Sequence, residues 1–238
     1  MSAVATTTMM SKPVARRRRW LRWLAWFGAA ILVCLVLYLA VAVPWMNRWG
    51  ATDAELAASL PGDELVPVAS AITNRAVTVN AAPEQIYPWL VQLGVDRGGM
   101  YSVLFVENLM GLHVTNAETI HPEWQDLAVG DFVRFTPKEY VLNPGPGLWV
   151  REMEAPNTLV FCFGMETVNP EPCTMTWQFV LEPQDDGSTR LLLRGRTAAT
   201  GNAAMDAAGQ LFTGPIFIME QRMLVTLKAR AEALAAQS

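Results

Sequence analysis

Residues Trp23 to Met46 form a run of 24 residues without a single charge, WLAWFGAAILVCLVLYLAVAVPWM. At 1.5 Å per helical residue such a run reaches roughly 33 Å, against a hydrocarbon core of about 30 Å. Tryptophans stand at both ends: Trp20, Trp23 and Trp26 at the first, Trp45 and Trp49 at the second. That distribution suits rings that anchor at the two membrane interfaces. Arg16–Arg19 and Arg22 precede the run, whereas only Arg48 follows it closely. The positive-inside rule then assigns residues 1–19 to a cytoplasmic basic tail, residues 20–46 to one transmembrane helix, and the remainder to the outer side of the cell membrane.

Other readings of this segment are weaker. A cleaved signal peptide shares the basic start, and Ala40-Val41-Ala42 resembles a cleavage site. Its apolar core, however, usually runs about 7–15 residues. Arg17-Arg18-Arg19-Trp20-Leu21 is similar to a twin-arginine export signal, yet no cofactor motif accompanies it. An arginine run can bind nucleic acid, but this one abuts a span and is followed by tryptophans, so no nucleic-acid partner is expected.

Charge divides the chain at the same place. Residues 1–50 carry seven of the 18 basic residues and no acid; residues 51–238 carry the other eleven and all 22 acids, a net charge of −11. Hydrophobic residues make up 52% of the chain and charged ones 17%, which excludes a disordered or collagen-like chain. With three cysteines and no CxxC, neither a disulfide-dense scaffold nor a zinc site is expected.

Beyond the span, residues 1–15 read as a disordered tail and residues 47–70 as a stalk with a short helix around Asp53–Leu60, N-capped by Thr52 or Asp53. Residues 71–238 read as one α+β domain. Strands are predicted at Ile72–Asn80, Asp131–Thr136, Leu148–Met153, Leu159–Phe163, Thr174–Leu181 and Thr189–Thr197. The last two alternate cleanly and flank the turn PQDDGS, giving a hairpin with one buried face and leaving Arg190, Arg194 and Arg196 on a solvated one. Helices are predicted at Ala82–Gly94, kinked or restarted at Pro88, at Val103–Leu112, and from Pro215 to about Ala236. On the last, Ile216, Met219, Met223, Leu227, Ala231 and Leu234 recur at helical spacing, with Glu220, Arg222, Lys228 and Glu232 elsewhere.

The order strand, short helices, antiparallel strands, long C-terminal helix carries a family resemblance. APEQIYPWLVQLG (Ala82–Gly94), DRGGMYS (Asp96–Ser102), VENLMGL (Val106–Leu112), PEWQDLAVGD (Pro122–Asp131) and FIMEQRMLVTLKARAE (Phe217–Glu232) resemble the START-like helix-grip superfamily, also called SRPBCC or polyketide cyclase/dehydrase and lipid-transport proteins. The similarity covers roughly residues 49–234 and is nearest to a bacterial membrane-anchored subgroup of uncharacterised members. It implies a curved antiparallel sheet wrapped around the C-terminal helix, with a cavity between them for an apolar or amphipathic molecule. No catalytic pattern of the enzymes in that superfamily maps onto this chain, and no cofactor is implied.

Candidate ligand-binding residues follow from the pattern and that resemblance. Glu107 and Asn108 interrupt the apolar stretch VLFVENLMGL and are placed at a pocket mouth, or else at a polar edge or cap. Trp89, Tyr101, Trp124, Trp177 and Phe179 supply large surfaces that line either core or cavity, and Met219 and Met223 face them from the C-terminal helix. His113 and His121 have no metal-ligand spacing, and His121 joins Glu107 and Tyr101 as an acid or base if the protein is an enzyme. Cys162 and Cys173 fall on consecutive strands; two buried free thiols are the default, and a disulfide is permitted outside the cytoplasm. The leading expectation is binding or transfer of a lipid-like molecule beside the membrane. An enzyme acting on that ligand and an interaction module with a filled core are the alternatives, and oligomeric state is beyond the sequence.

Overall fold

The computed structural model describes residues 14–109, 111–141 and 143–237. Most of the expected tail, residues 1–13, lies outside them. The chain divides into two units, residues 1–42 and 43–238. In the first, helix α1 (Val14–Leu37) takes in the arginine run and continues into a π-helical turn at Tyr38–Ala42. Its large apolar side chains, Trp23, Trp26 and Phe27 among them, are exposed. Trp20–Asn47 is the one helical stretch among the described residues that is long and apolar enough to cross a membrane.

The second unit opens with α2 (Val43–Asn47) and α3 (Asp53–Ala57), then β1 (Ala69–Val79), α4 (Pro83–Val91) and α5 (Leu104–Leu109). Five further strands follow: β2 (Phe132–Arg134), β3 (Pro146–Glu154), β4 (Thr158–Met165), β5 (Met175–Pro183) and β6 (Thr189–Ala198). Helices α6 (Ala203–Gly209) and α7 (Thr213–Ala235) end the chain. The strands form one antiparallel sheet in the order β1-β6-β5-β4-β3-β2. Pro88 lies within α4 as its sixth residue, where its missing N–H removes a single bond, and Gln92 N still donates to Pro88 O at 3.3 Å.

Strand periodicity gives the sheet two faces. One row, set by the register Val77↔Leu191 and Leu193↔Phe179↔Leu159, packs with Ile86 and Leu90 of α4 and Met223, Leu224 and Leu227 of α7 into the main core. The α+β helix-grip arrangement expected from the resemblance is therefore the one observed.

The other face is not solvated. Residues 48–67, expected as a stalk, are a strap fastened across it. Trp49 O accepts from Ala76 N of the sheet edge at 3.1 Å, Leu60 packs with Ala76, Val180 and Leu192, and Val66 packs on Cys162 and Cys173. A Cβ at Gly62 would lie 2.6 Å from Val160 Cγ1, so only glycine lets the strap approach this closely. Thr52 and Glu55 form a capping box that starts α3.

The arginine stripe corrects the expectation of a solvated face: each side chain is an anchor for the strap. Arg190 meets Glu55 with two bonds of 2.8 and 3.0 Å, and Arg196 donates to Val66 O at 2.9 Å. Arg194, only 3% exposed, donates to Asn74 Oδ1, Ala58 O, Asp63 Oδ2 and Glu55 O at 2.6–2.8 Å. Burial raises the Glu55 carboxyl, but the bonds from Arg190 and Thr52 and the Arg190 charge outweigh it and hold Glu55 below its ordinary value. Cys162 and Cys173 are joined by a disulfide, Cα atoms 5.9 Å apart, in place of the two free thiols taken as the default.

Candidate functional site

The inner face of the sheet and α7 separate near the N-terminal half of the helix and enclose a cavity of about 330 Å³. Its sheet side is Trp177 of β5, Pro146 of β3 and Phe135 and Thr136 just past β2. Met219, Glu220 and Met223 of α7 form the opposite side. Met100, Ser102, Glu107, Leu112 and Tyr140 close it from the loops around α5. Leu112 and Tyr140 also line a larger, polar cleft of about 610 Å³ that holds Asp96, His113, Lys138 and Glu139, so these two side chains stand between cavity and cleft.

Two polar groups interrupt the apolar wall. Glu220 Oε1 accepts from Trp177 Nε1 at 2.7 Å, and Glu220 Oε2 forms an ion pair with Arg75 Nη1. Arg75, from the inner face of β1, is 1% exposed, and the Phe217 ring lies 5.5 Å from its Cζ. Burial pulls its pKa down to about 10, so it remains a cation at neutral pH. Its Nε and Nη2 find no hydrogen-bond partner among the described residues. The second group is Glu107, whose Oε1 accepts from Ser102 Oγ while Oε2 has no partner among the described residues.

Of the candidates read from sequence, Glu107, Trp177, Met219 and Met223 are brought together at this cavity. Phe179 is core, on the inner row between Leu159 and Leu193. Tyr101 is also fully buried in the core, and its hydroxyl accepts from Gln92 Nε2 at 2.7 Å; burial pushes the phenol up to about 12. Trp89 packs edge-on against Tyr101 and lines a separate pocket with Glu118 and Arg230. Asn108 is the cap: its side chain accepts from Val114 N at 2.8 Å on the protein surface. The ring of His121 stacks on Trp124 at 4.1 Å and meets Glu123 at 3.2 Å, with neither His121 nor Trp124 in the cavity wall. Of the three proposed acid–base groups, only Glu107 therefore lines the cavity.

Arg75, Ser102 and Glu220 were not picked out from sequence. Glu220 was placed off the apolar face of α7, yet it is buried while Ile216 is exposed. A charged residue in each of two apolar-facing rows, Arg75 beside Val77 and Glu220 between Met219 and Met223, is the signal that could have paired them.

No protein-family model and no curated protein matches the sequence. Among solved structures, the chain is similar to the Aha1 dimer from Colwellia psychrerythraea, with 17% identity over 68% of this chain and 96% of that one, and a TM-score of 0.39. It is similar to Ara h 8.0201 with 10% identity over 68% and 98% of the two chains, and a TM-score of 0.41. CalC from Micromonospora echinospora, a self-sacrificing resistance protein, shows 11% identity over 71% and 99%, and a TM-score of 0.41. By its own topology, a six-stranded antiparallel sheet with a long C-terminal helix packed on one face, the second unit has the helix-grip fold.

Proposed function

We propose that this is a single-pass membrane protein, N-terminus cytoplasmic, whose outer domain binds or transfers a lipid-like molecule in the cavity beneath α7. The observation that carries this reading is the cavity: about 330 Å³, walled mainly by Trp177, Phe135 and three methionines, within the size range of small-molecule sites. Methionines adapt to ligands of irregular shape.

The membrane half of the reading has its own support inside the second unit. Trp45, near the end of the apolar stretch, packs edge-on to Phe217 of α7 at 5.4 Å. In and just before α7, Leu211, Phe212, Ile216 and Ile218 expose large apolar side chains, and Ile218 is next in sequence to the cavity residue Met219. Such a patch suits an interfacial setting, where uptake from the bilayer is short-range. A domain of net charge −11 is repelled by anionic lipid, which makes a covalent tether useful. The disulfide fits an extracytoplasmic location.

The test is native mass spectrometry of the full chain released from membranes, with lipid extraction of the same sample. A co-purifying apolar species, lost on Met223→Trp, is expected. A chain that takes up no apolar probe at any concentration would sink the proposal.

The enzyme reading keeps one observation, the buried Glu107–Ser102 pair at the cavity wall. It requires a bound ligand whose mass changes on incubation and is unchanged in Glu107→Gln.

A further inference from the structure

Helix α5 is turned against its own polarity. Its Phe105 and Leu109 are 76% and 77% exposed, while Glu107 between them is 5% exposed and reaches the cavity. A helix built for stability would bury the phenylalanine and leucine and leave the glutamate in water. Burying a carboxylate with one oxygen unbonded is costly, and among the described residues only the Ser102 bond to Oε1 offsets it.

Resting on the proposed function, we infer that the cavity selects amphiphiles whose polar group donates hydrogen bonds and carries no negative charge, a hydroxyl or a protonated amine, with Glu107 Oε2 as the acceptor. A carboxyl oxygen left without a donor is an acceptor, so its complement in a ligand is a donor. Ser102 Oγ holds the other oxygen, and Oε2 is itself buried, so a ligand donor reaches it by a turn of the carboxylate toward the cavity that Glu107 lines. The remaining charge in the wall, Glu220, is already engaged by Trp177 and Arg75 and offers no competing site. An anionic headgroup would meet two carboxylates, Glu107 and Glu220, against the single cation Arg75, which pairs with Glu220 from behind the wall. Like-charge contact in a poorly solvated site disfavours it.

The full chain in phosphatidylcholine nanodiscs is incubated with an equimolar mixture of 1-dodecanol, dodecylamine, 2-dodecanone and dodecanoate, and bound species are counted by native mass spectrometry. The expected result is occupancy by the alcohol and the amine about tenfold or more above the ketone and the carboxylate, as for loss of a charge-assisted hydrogen bond. In Glu107→Gln the amine-to-ketone ratio falls by about tenfold, and because both ratios come from the same bilayer, partitioning cancels. Ser102→Ala keeps the donor preference. The wild-type ranking decides by itself if a variant fails to fold. Equal occupancy of all four probes, or preference for dodecanoate, overturns this inference while leaving the cavity as a binding site; binding of none overturns both.

Discussion

Two buried arginines sit on opposite faces of the same strand pair, and their surroundings differ. Arg194 of β6, under the strap, has four hydrogen-bond acceptors for its guanidinium. Arg75 of β1, under α7, has one carboxylate and an aromatic ring, with two nitrogens left unbonded. The Arg194 guanidinium thus has an acceptor at each of its three nitrogens, as suits a structural fastening, while Gln178 Oε1 under the same strap has no partner among the described residues. The inner face leaves polar atoms unmet at Arg75 and Glu107, beside a space that a ligand can fill. The two guanidiniums differ in how far they are satisfied, and the less satisfied one is the one that packs behind the cavity wall.

Substitutions can break that contrast. The largest effect is expected from Arg194→Ala, which strands two carbonyls beneath the strap and leaves Asp63 with only Leu60 N and the longer Arg196 contact; a loss of about 3–5 kcal/mol in denaturant unfolding follows from removing one side of a buried ion pair. Arg75→Met should cost about 3 kcal/mol by leaving Glu220 unpaired, but Arg75→Met with Glu220→Gln should return to near neutral. If that double variant stays as unstable as Arg194→Ala, the inner pair is structural and the contrast fails. Replacing both Cys162 and Cys173 by serine should cost about 3 kcal/mol, since the bond closes a short loop. The melting temperature with and without reductant reads this effect on the outer face alone.

The smallest effect is on pH. Glu55 titrates below its ordinary value when folded, so its contribution is present above the unfolded pKa and is lost as pH falls through the folded one. Acid unfolding of the wild type should therefore be steeper than that of Glu55→Gln at pH below 4.5. Identical profiles would mean that the Arg190–Glu55 pair does not hold the strap.

Much of the fold was legible because it rests on local periodicity. Alternation along Met175–Leu181 and Leu191–Leu193 marks one sheet face, and the turn PQDDGS between them sets the hairpin. The apolar spacing of α7 was legible for Met223, Leu227 and Ala231, and Met219 reaches the cavity. Where reading failed, a distant partner decided the outcome. Nothing local in Arg190, Arg194 and Arg196 says that Glu55 and Asp63, more than 120 residues earlier, will cover them. Asn108 and His121 looked available for chemistry, but one caps a loop and the other stacks on a surface tryptophan.

The sequence by itself determined the apolar helix, the strand and helix order and the charge division at residue 50, because each depends on neighbours along the chain. Only the tertiary structure decided that residues 48–67 form a strap, that Cys162 bonds Cys173, and that Glu107 faces an apolar cavity while Phe105 and Leu109 face out. Those outcomes depend on which groups meet across the fold, where a buried charge keeps its place only by finding a partner and an unpartnered one marks a site left open.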